Sequence, residues 1–192
     1  MRISLIVVLV VGILAGALSL VMIISDHSGL LRYVNLASLL EQTNVSQPVQ
    51  FQIPKINVNA TIEEVSLTSA GAVGVPKGIA NVAWFALGPR PGERGNSIIV
   101  GHYGWYKNGT PAVFNNLNKL KPGDKLYVKD SKGVTVTFVV RELKIFSAGE
   151  DSSGVFSLDD GKAHLNLITC EGIWDKTQKT YSSRLVVFTD KE

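Results

Sequence analysis

The hydrophobic positions divide the chain into an unbroken apolar run near the start and a longer region of short alternating segments. Residues 3–24 form the run, 22 positions interrupted only by small residues. A helix of that length, at about 1.5 Å per residue, reaches ~33 Å, which is enough to cross a bilayer. The run predicts an N-terminal transmembrane helix, and the pattern divides the chain into an anchor (1–25), a connecting segment (26–48) and a domain (49–192).

A cleaved signal peptide is the alternative interpretation of the same run. Residues 15–17, Ala-Gly-Ala, match the small residues of a cleavage site. Cleavage there would leave residues 18–24 as an apolar new N-terminus, which favours the uncleaved anchor. Arg2 precedes the run and Asp26 follows it. We therefore expect a single-pass protein of the cell membrane, with its N-terminus in the cytoplasm and its domain on the outer face.

The connecting segment and the domain differ in the period of their apolar positions. Residues 28–42 carry leucines at three- and four-residue spacing and predict a short amphipathic helix, and residues 43–48 form a polar linker. Later segments are short, rich in Val, Ile, Thr and Phe, and separated by turn residues, which predicts an all-β domain, either a closed barrel or a sandwich. The predicted strands are 49–53, 60–65, 97–100, 125–128, 134–146, 163–169 and 184–189, with one short helix at 112–120.

Composition narrows the chemistry of this domain. The formal net charge is only +3 and the basic residues are scattered, which argues against a nucleic-acid partner. No group of Cys and His residues has the spacing of metal ligands. The single cysteine, Cys170, cannot form an internal disulfide. It is either a small buried hydrophobe or a reactive thiol.

Two of the predicted strands alternate with a period of two. Asn166 and Ile168 share the face of Cys170, and Val186 shares the face of Arg184, at the start of the last strand. An antiparallel pair of these strands makes Cys170 and Arg184 neighbours despite the 13 residues between them. The intervening loop is long for a hairpin, and long loops tend to carry function.

His102 follows another predicted strand, 97–100. If this strand runs parallel to the strand that ends at Cys170, both residues leave the sheet at the same edge. Residues 103–164 are long enough for the crossover that a parallel pair requires. The plainer interpretations are that His102 is a solvated loop histidine and that Arg184 protects a strand edge from aggregation.

These residues together resemble the sortase family of cysteine transpeptidases. Residues 166–170, Asn-Leu-Ile-Thr-Cys, match the family's Thr-Leu-x-Thr-Cys signature except for the asparagine. The Gly-His pair at 101–102, Arg184 and the Leu-Lys-Pro-Gly-Asp turn at 120–124 follow the same pattern, and the resemblance extends over about residues 49–188. It is nearest to sortase classes D, E and F, with the class left open.

The resemblance implies a fold and a reaction. The fold is a closed β-barrel of about eight strands with one or two short helices. The substrates are surface proteins with a C-terminal sorting motif similar to Leu-Pro-x-Thr-Gly, cut between Thr and Gly. The cysteine forms a thioester with the Thr carbonyl, and an amine from a cell-wall peptide or a pilin lysine resolves it.

Each of the three candidate catalytic residues has chemistry suited to this reaction. A thiol with a reference pKa of about 8.5 is only a few per cent thiolate at neutral pH, so the nucleophile Cys170 needs a base. His102 can serve as that base and then protonate the leaving amine. Arg184 is a permanent cation with forked donors, suited to the substrate carbonyl or the tetrahedral oxyanion.

The resemblance also implies which residues select the substrate. Residues 147–162 correspond to the loop that shapes the substrate groove in sortases. Its apolar side chains either line a pocket for the sorting motif or only pack the loop. The Thr169 hydroxyl either orients the active-site backbone or simply suits a strand. The candidate substrate-binding residues are Val155, Phe156, Leu158, Ile168, Thr169 and Trp174.

No cofactor is expected, and calcium is the alternative because some sortases bind it near this loop. The carboxylates available there are Glu150, Asp151, Asp159 and Asp160, and scattered loop carboxylates are usually only solvated. Two other functions compete with a sortase. An L,D-transpeptidase would carry its cysteine in a Ser-His-Gly-Cys-like segment, which this chain lacks, and a non-catalytic, membrane-tethered β-barrel adaptor would have an inert thiol.

Overall fold

The computed structural model describes residues 45–106, 109–157, 160–177 and 180–192, and before them the backbone of three strands. The chain forms two compact units, Met1–Asn44 and Val45–Glu192. In the first unit, strands β1 (Val7–Leu14), β2 (Ala17–Ser25) and β3 (Leu31–Asn35) form an antiparallel sheet in the order β1-β2-β3.

This sheet overturns two predictions about the N-terminal region. Strands β1 and β2 occupy most of the run for which a transmembrane helix was predicted, and β3 lies inside the predicted amphipathic helix at 28–42. An unbroken apolar run has no periodicity to separate helix from strand, and its many Val and Ile residues favour strands. No helix among the described residues is long and apolar enough to cross a membrane. The rest of the predicted amphipathic helix lies outside the described residues.

The second unit is a closed barrel of eight strands, as the resemblance predicted, in the order β10-β11-β9-β8-β4-β5-β6-β7. Most neighbouring strands are antiparallel, and the two parallel pairs are β5 with β6 and β7 with β10. The strands are β4 (Pro48–Ile53), β5 (Val58–Val65), β6 (Val82–Phe85), β7 (Gly95–Gly101), β8 (Lys125–Asp130), β9 (Thr135–Ser147), β10 (Ala163–Asp175) and β11 (Thr180–Lys191).

Alternation along the strands produces two apolar clusters. Side chains that point inward fill the barrel, and the largest fully buried ones are Phe51, Phe114 and Phe138. A smaller cluster lies on the outer face, where Val155 of the one-turn helix α1 (Ser153–Phe156) packs against residues of β7 and β11. The outer face of these strands is therefore also apolar beside α1.

The structure also differs from the predicted elements within the barrel. Strand β6 was not predicted, because four apolar residues give too short a signal to assign. Only Leu117–Lys119 of the predicted helix at 112–120 is helical, as a 3-10 turn. Strands β10 and β11 extend into the predicted loop after Cys170, with a register shift between Glu171 and Trp174. Cys170 therefore lies within a long strand, not at the end of a strand.

Candidate active site

Cys170 and Arg184 face each other across strands β10 and β11. Residues directly opposite each other in an antiparallel pair project from the same face of the sheet. Their neighbours Thr169 and Leu185 are buried, and Leu185 belongs to the cluster that fills the barrel. Cys170 and Arg184 therefore lie on the outer face, and the predicted antiparallel pairing is confirmed.

His102 leaves the sheet on the other side of Cys170. Strand β7 runs parallel to β10, as predicted, and Val100 pairs with Ile168. Cys170 lies two residues beyond this pair in β10, and His102 lies two residues beyond it, just after the end of β7. Neighbouring strands are about 4.8 Å apart. Because the strand order is β7-β10-β11, the cysteine strand lies between the strands that lead to His102 and Arg184.

The Thr169 hydroxyl joins the two strands just before the candidate catalytic residues. It donates a hydrogen bond of 2.8 Å to the carbonyl oxygen of Gly101, and the bond is buried. The bond therefore fixes the backbone one residue before Cys170 to the backbone one residue before His102. Gly101 is required for close packing here, because a Cβ at this position would overlap the ring of Phe114.

A groove of about 480 Å³ runs past Cys170 on the outer face. Residues of β10 and β11, including Ile168, Cys170 and Arg184, form part of its surface. The segment 147–156, which contains α1, supplies much of the rest, as the sequence predicted for this loop. Residues with apolar side chains that line the groove include Val73, Val75, Val100, Phe146, Val155, Phe156, Ile168 and Val186.

The thiol of Cys170 is partly buried at this groove. Burial raises the pKa of the Cys170 thiol above its ordinary value, and the positive charge of Arg184 opposes that rise. Burial raises a thiol pKa because a less polar environment destabilises the charged thiolate. Burial thus favours the neutral thiol over the thiolate.

The guanidinium of Arg184 is oriented by its own hairpin. Nη1 donates to the carbonyl oxygens of Tyr181 and Ser183 at 3.0 and 2.9 Å, and Nη2 donates to Thr180 Oγ1 at 3.0 Å. These bonds use three of the five N–H groups of a guanidinium. Among the described residues, the others have no acceptor. As far as the described residues go, these N–H groups can therefore donate to a carbonyl or an oxyanion.

The imidazole of His102 is also held in place, by a residue far away in the sequence. Its Nε2 lies 2.7 Å from the carbonyl oxygen of Pro76. A carbonyl oxygen can only accept, so Nε2 carries the proton in this contact. The His102 ring also makes an edge-to-face contact with Tyr106, with 6.5 Å between ring centroids. This arrangement leaves Nδ1 as the nitrogen that can accept a proton.

Comparison with known proteins identifies the family of this chain. The model of the sortase domain matches residues 51–192. The chain belongs to the sortase family. Members of this family are cysteine transpeptidases, and the match includes the cysteine, the histidine and the arginine described above. No curated protein sequence matches this sortase significantly.

Solved sortase structures share its fold. Sortase C-1 from Actinomyces oris is 25% identical, with a TM-score of 0.57, over 82% of this chain and 80% of that one. Sortase C1 from Streptococcus agalactiae, in complex with MTSET, is 20% identical with a TM-score of 0.57, over 75% of this chain and 68% of that one. A lid mutant of sortase A from Corynebacterium diphtheriae is 20% identical with a TM-score of 0.57, over 80% and 75%.

Two buried asparagines hold the groove wall of this sortase and were not predicted to do so. Asn166 Nδ2 donates to the carbonyl oxygen of Val155 at 2.7 Å, and Asn96 Nδ2 donates to the same oxygen at 3.1 Å. Asn96 also reaches the carbonyl oxygen of Gly154 at 3.2 Å. Both side chains are almost completely buried. A polar residue inside an apolar strand was the available signal, and Asn166 is also where the chain departs from the sortase signature.

Two of the candidate substrate-binding residues are not part of the described groove. Trp174 packs its ring against Tyr181, with 5.0 Å between centroids, and Tyr181 contacts Tyr103 at 5.4 Å. Tyr181 lines the groove and Trp174 does not. Trp174 thus supports a groove residue without facing the groove itself. Leu158 lies outside the described residues, whereas Val155, Phe156, Ile168 and Thr169 all line the groove.

The loop carboxylates that could have held calcium have other partners. Glu150 forms an ion pair with Lys144 at 3.1 Å. Asp151 accepts a hydrogen bond from the backbone of Ser153, and Asp160 contacts His164 at 3.0 Å. Asp159 is outside the described residues, and the described part of the chain contains no group of three metal-binding side chains.

Proposed function

We propose that this sortase is a membrane-anchored transpeptidase that cleaves a C-terminal motif similar to Leu-Pro-x-Thr-Gly and transfers the acyl part to an amine. The observation that carries the proposal is the position of Cys170 between His102 and Arg184, beside a groove with many apolar residues. The thiol and the guanidinium line the groove, and the imidazole follows Gly101, which also lines it. These are the three groups that acyl transfer through a thioester requires. No cofactor takes part in this chemistry.

The first half of the reaction is the transfer of the acyl group to the enzyme. Nδ1 of His102 accepts the proton of the Cys170 thiol, and Sγ attacks the carbonyl carbon of the substrate threonine. The free N–H groups of Arg184 stabilise the negative oxygen of the tetrahedral intermediate. The peptide C–N bond then breaks, the protonated His102 gives its proton to the leaving glycine amine, and a thioester with Cys170 remains.

The second half releases the product to an amine. A neutral amine attacks the thioester carbon and gives up a proton to His102. The C–S bond then breaks, and His102 returns that proton to Cys170. The product is a new amide, so no net oxidation or hydrolysis occurs. We propose a cell-wall peptide or a pilin lysine as the source of the amine, because each offers a primary amine at the cell surface.

Recognition of the sorting motif is proposed to depend on the apolar residues of the groove. Val155 and Phe156 come from α1, and Ile168 comes from the strand of the cysteine. The leucine and proline of the motif are apolar and of a size that such a groove can bury. Val155 is buried, whereas Phe156 is 42% exposed and can cover a bound peptide.

The proposed location is the outer face of the cell membrane. Its support is the hydrophobicity of residues 3–24 and the charge of Arg2 before them. Membrane fractionation, followed by protease treatment of intact cells, tests this location. A barrel that stays in the soluble fraction, or is cleaved only after lysis, contradicts it.

The test of the reaction uses the full-length protein in detergent, with a fluorogenic peptide that contains the sorting motif and with a glycine amide as the acceptor. We expect cleavage after the threonine, a transpeptidation product, and an acyl group on Cys170 by mass spectrometry. Cys170→Ala should abolish all three, and His102→Ala should lose nearly as much activity, because the two residues act as a unit. Full cleavage by the Cys170→Ala variant would contradict the proposal.

The same protein can test the two competing functions. Peptidoglycan stem peptides replace the sorting peptide to test for L,D-transpeptidation. A small charged thiol reagent tests the adaptor hypothesis, because a catalytic Cys170 should be modified with loss of activity. If the thiol is inert in the folded protein and no peptide is cleaved, the adaptor is favoured over the enzyme.

A further inference from the structure

The carboxylate of Glu63 collects three hydrogen bonds from one short segment before strand β6. Its Oε2 accepts from the backbone N–H of Lys77 at 2.8 Å. Its Oε1 accepts from the backbone N–H of Gly78 at 3.1 Å and from Asn81 Nδ2 at 2.8 Å. The bonds from Asn81, Lys77 and Gly78, in that order of importance, lower the pKa of Glu63. Glu63 is therefore ionised, and an ionised carboxylate is the acceptor best suited to several N–H donors.

The segment that Glu63 binds also contacts His102. The carbonyl oxygen of Pro76 is the acceptor for His102 Nε2, at 2.7 Å. This carbonyl and the N–H of Lys77 belong to one peptide unit, which is planar and rigid. In a trans peptide the two groups point in opposite directions, so Glu63 binds one side of the unit and His102 binds the other. Turning the unit away from Glu63 therefore turns its carbonyl away from His102.

Pro76 is buried, so packing places this peptide unit, but few hydrogen bonds between described residues set the direction of its carbonyl. Proline has no N–H, so Pro76 cannot be held through its own backbone nitrogen. The preceding residue, Val75, is 61% exposed. The nearest backbone bonds on either side are from Gly74 to Ser66, at 2.9 Å, and from Asn81 to Gly78, at 3.1 Å. Between these two bonds, the Glu63 carboxylate supplies the hydrogen bonds that orient the 76–77 unit toward His102.

We propose that Glu63 is a positioning residue, which acts through the 76–77 peptide unit to hold the His102 ring as the Nε2–H tautomer. A backbone carbonyl that accepts from one ring nitrogen determines which nitrogen remains free for proton transfer. With Nε2–H bound to Pro76, Nδ1 is free to accept the proton of the cysteine. The proposal rests on the proposed function, because it assigns a role to Glu63 in a reaction that uses His102.

The test compares Glu63→Gln with Glu64→Gln in the full-length protein. Glutamine keeps the size of the side chain, but its amide nitrogen cannot accept the bonds that the second carboxylate oxygen accepts. Glu64 is the adjacent residue and accepts a bond from Gln47 Nε2 at 2.9 Å, away from the 76–77 unit. Selective labelling of histidine with nitrogen-15 reports the ring tautomers, and the chain has only 3 histidines. The His102→Ala variant identifies the His102 signals.

We expect the His102 ring to be the Nε2–H tautomer in the wild-type protein and in the Glu64→Gln variant. In the Glu63→Gln variant we expect a mixture of the two tautomers. The Glu63→Gln variant should lose about tenfold in kcat, with little change in KM, because general acid–base catalysis is weakened and peptide binding is not. If Glu63→Gln does not fold, Asn81→Ala removes one bond to Glu63 and should shift the tautomer less, in the same direction.

Two results overturn the proposal. One is an unchanged His102 tautomer in the folded Glu63→Gln protein, and the other is an equal loss of kcat in the Glu64→Gln control. The spectra need no substrate, so they distinguish this proposal from the proposed function. If the wild-type protein cleaves no sorting peptide but the tautomer still depends on Glu63, the positioning contact stands and the function fails.

Discussion

Cys170 and Arg184 form a directly opposed pair on neighbouring antiparallel strands, with both side chains on the outer face of the barrel. Burial of Cys170 and the charge of Arg184 have opposite effects on the pKa of the Cys170 thiol. Burial of the cysteine destabilises its thiolate, whereas the arginine charge stabilises it. The barrel thus favours the protonated form of the proposed nucleophile and places a cation beside it, where the proposed reaction develops negative charge.

The first prediction concerns the reactivity of the thiol. Arg184→Gln removes the positive charge and should raise the pKa of Cys170 further, because only burial then acts on it. A smaller share of thiolate reacts more slowly at neutral pH, and the rate profile moves to higher pH. Alkylation by iodoacetamide at several pH values measures this. Arg141→Gln, which removes an arginine paired with Asp190, is the control, and faster alkylation of Arg184→Gln would contradict the prediction.

The second prediction separates the charge of Arg184 from its shape. Arg184→Lys keeps a positive charge but loses the planar fork that binds Tyr181, Ser183 and Thr180 while other N–H groups stay free. We expect kcat for peptide cleavage to fall about a hundredfold, the cost of losing an oxyanion donor. Arg141→Lys should turn over normally. Near-normal turnover of Arg184→Lys itself would reduce Arg184 to a scaffolding role.

The third prediction concerns the wall of the groove. Asn166→Asp replaces the N–H donor that binds the Val155 carbonyl with an acceptor, so the two groups repel each other. We expect a loss of about 1–3 kcal/mol in stability. Because α1 then keeps only its attachment to Asn96, KM for the sorting peptide should rise about tenfold, which corresponds to about 1.4 kcal/mol of binding free energy.

Thr189→Val is the matched control for the groove wall. The Thr189 hydroxyl donates a buried bond of 2.7 Å to the carbonyl oxygen of Leu165, at the other end of the same strand pair. Its loss should lower the unfolding temperature to a similar extent and leave KM unchanged. If both variants raise KM equally, the effect of Asn166 is a general loss of stability, and its role in the groove is wrong.

The fourth prediction tests the close packing before His102. Gly101→Ala adds a Cβ that overlaps the ring of Phe114, which is completely buried. Overpacking of this kind costs about 1–3 kcal/mol, and the displaced backbone should also lower kcat. Gly88→Ala is the control, because its Cβ would meet only ordinary contacts at 3.6 Å or more. Thermal unfolding and peptide cleavage measure both effects, and a fully stable Gly101→Ala protein would contradict the prediction.

The alternation of apolar and polar residues was sufficient to predict the arrangement around the nucleophile. In the strand of Cys170 and the strand of Arg184, a period of two assigns each side chain to a face, and the structure confirms these faces. For the His102 strand the sequence allowed a parallel pairing, because the connection to the cysteine strand is long enough for a crossover, and the structure shows that pairing.

The same kind of pattern failed where it carried no period. Residues 3–24 are apolar at nearly every position, and such a run fits a buried helix as well as a buried strand. Strands β1 and β2 form where a helix was expected. The extension of β10 to Asp175 was missed because a register shift interrupts its alternation. Helix α1 is only one turn long and depends on the bonds from Asn96 and Asn166 to its backbone.

The sequence by itself determined an all-β domain and marked Cys170, His102 and Arg184 as its candidate reactive groups, because strand period and residue chemistry are local properties and the motifs around these residues resemble those of sortases. Only the tertiary structure decided what surrounds them. The contact of His102 with Pro76 joins residues 26 positions apart in the chain, and the bonds of Glu63 with Lys77 and Gly78 span 14 and 15 positions. Such contacts leave no periodic trace, because they depend on how the closed barrel brings its loops together.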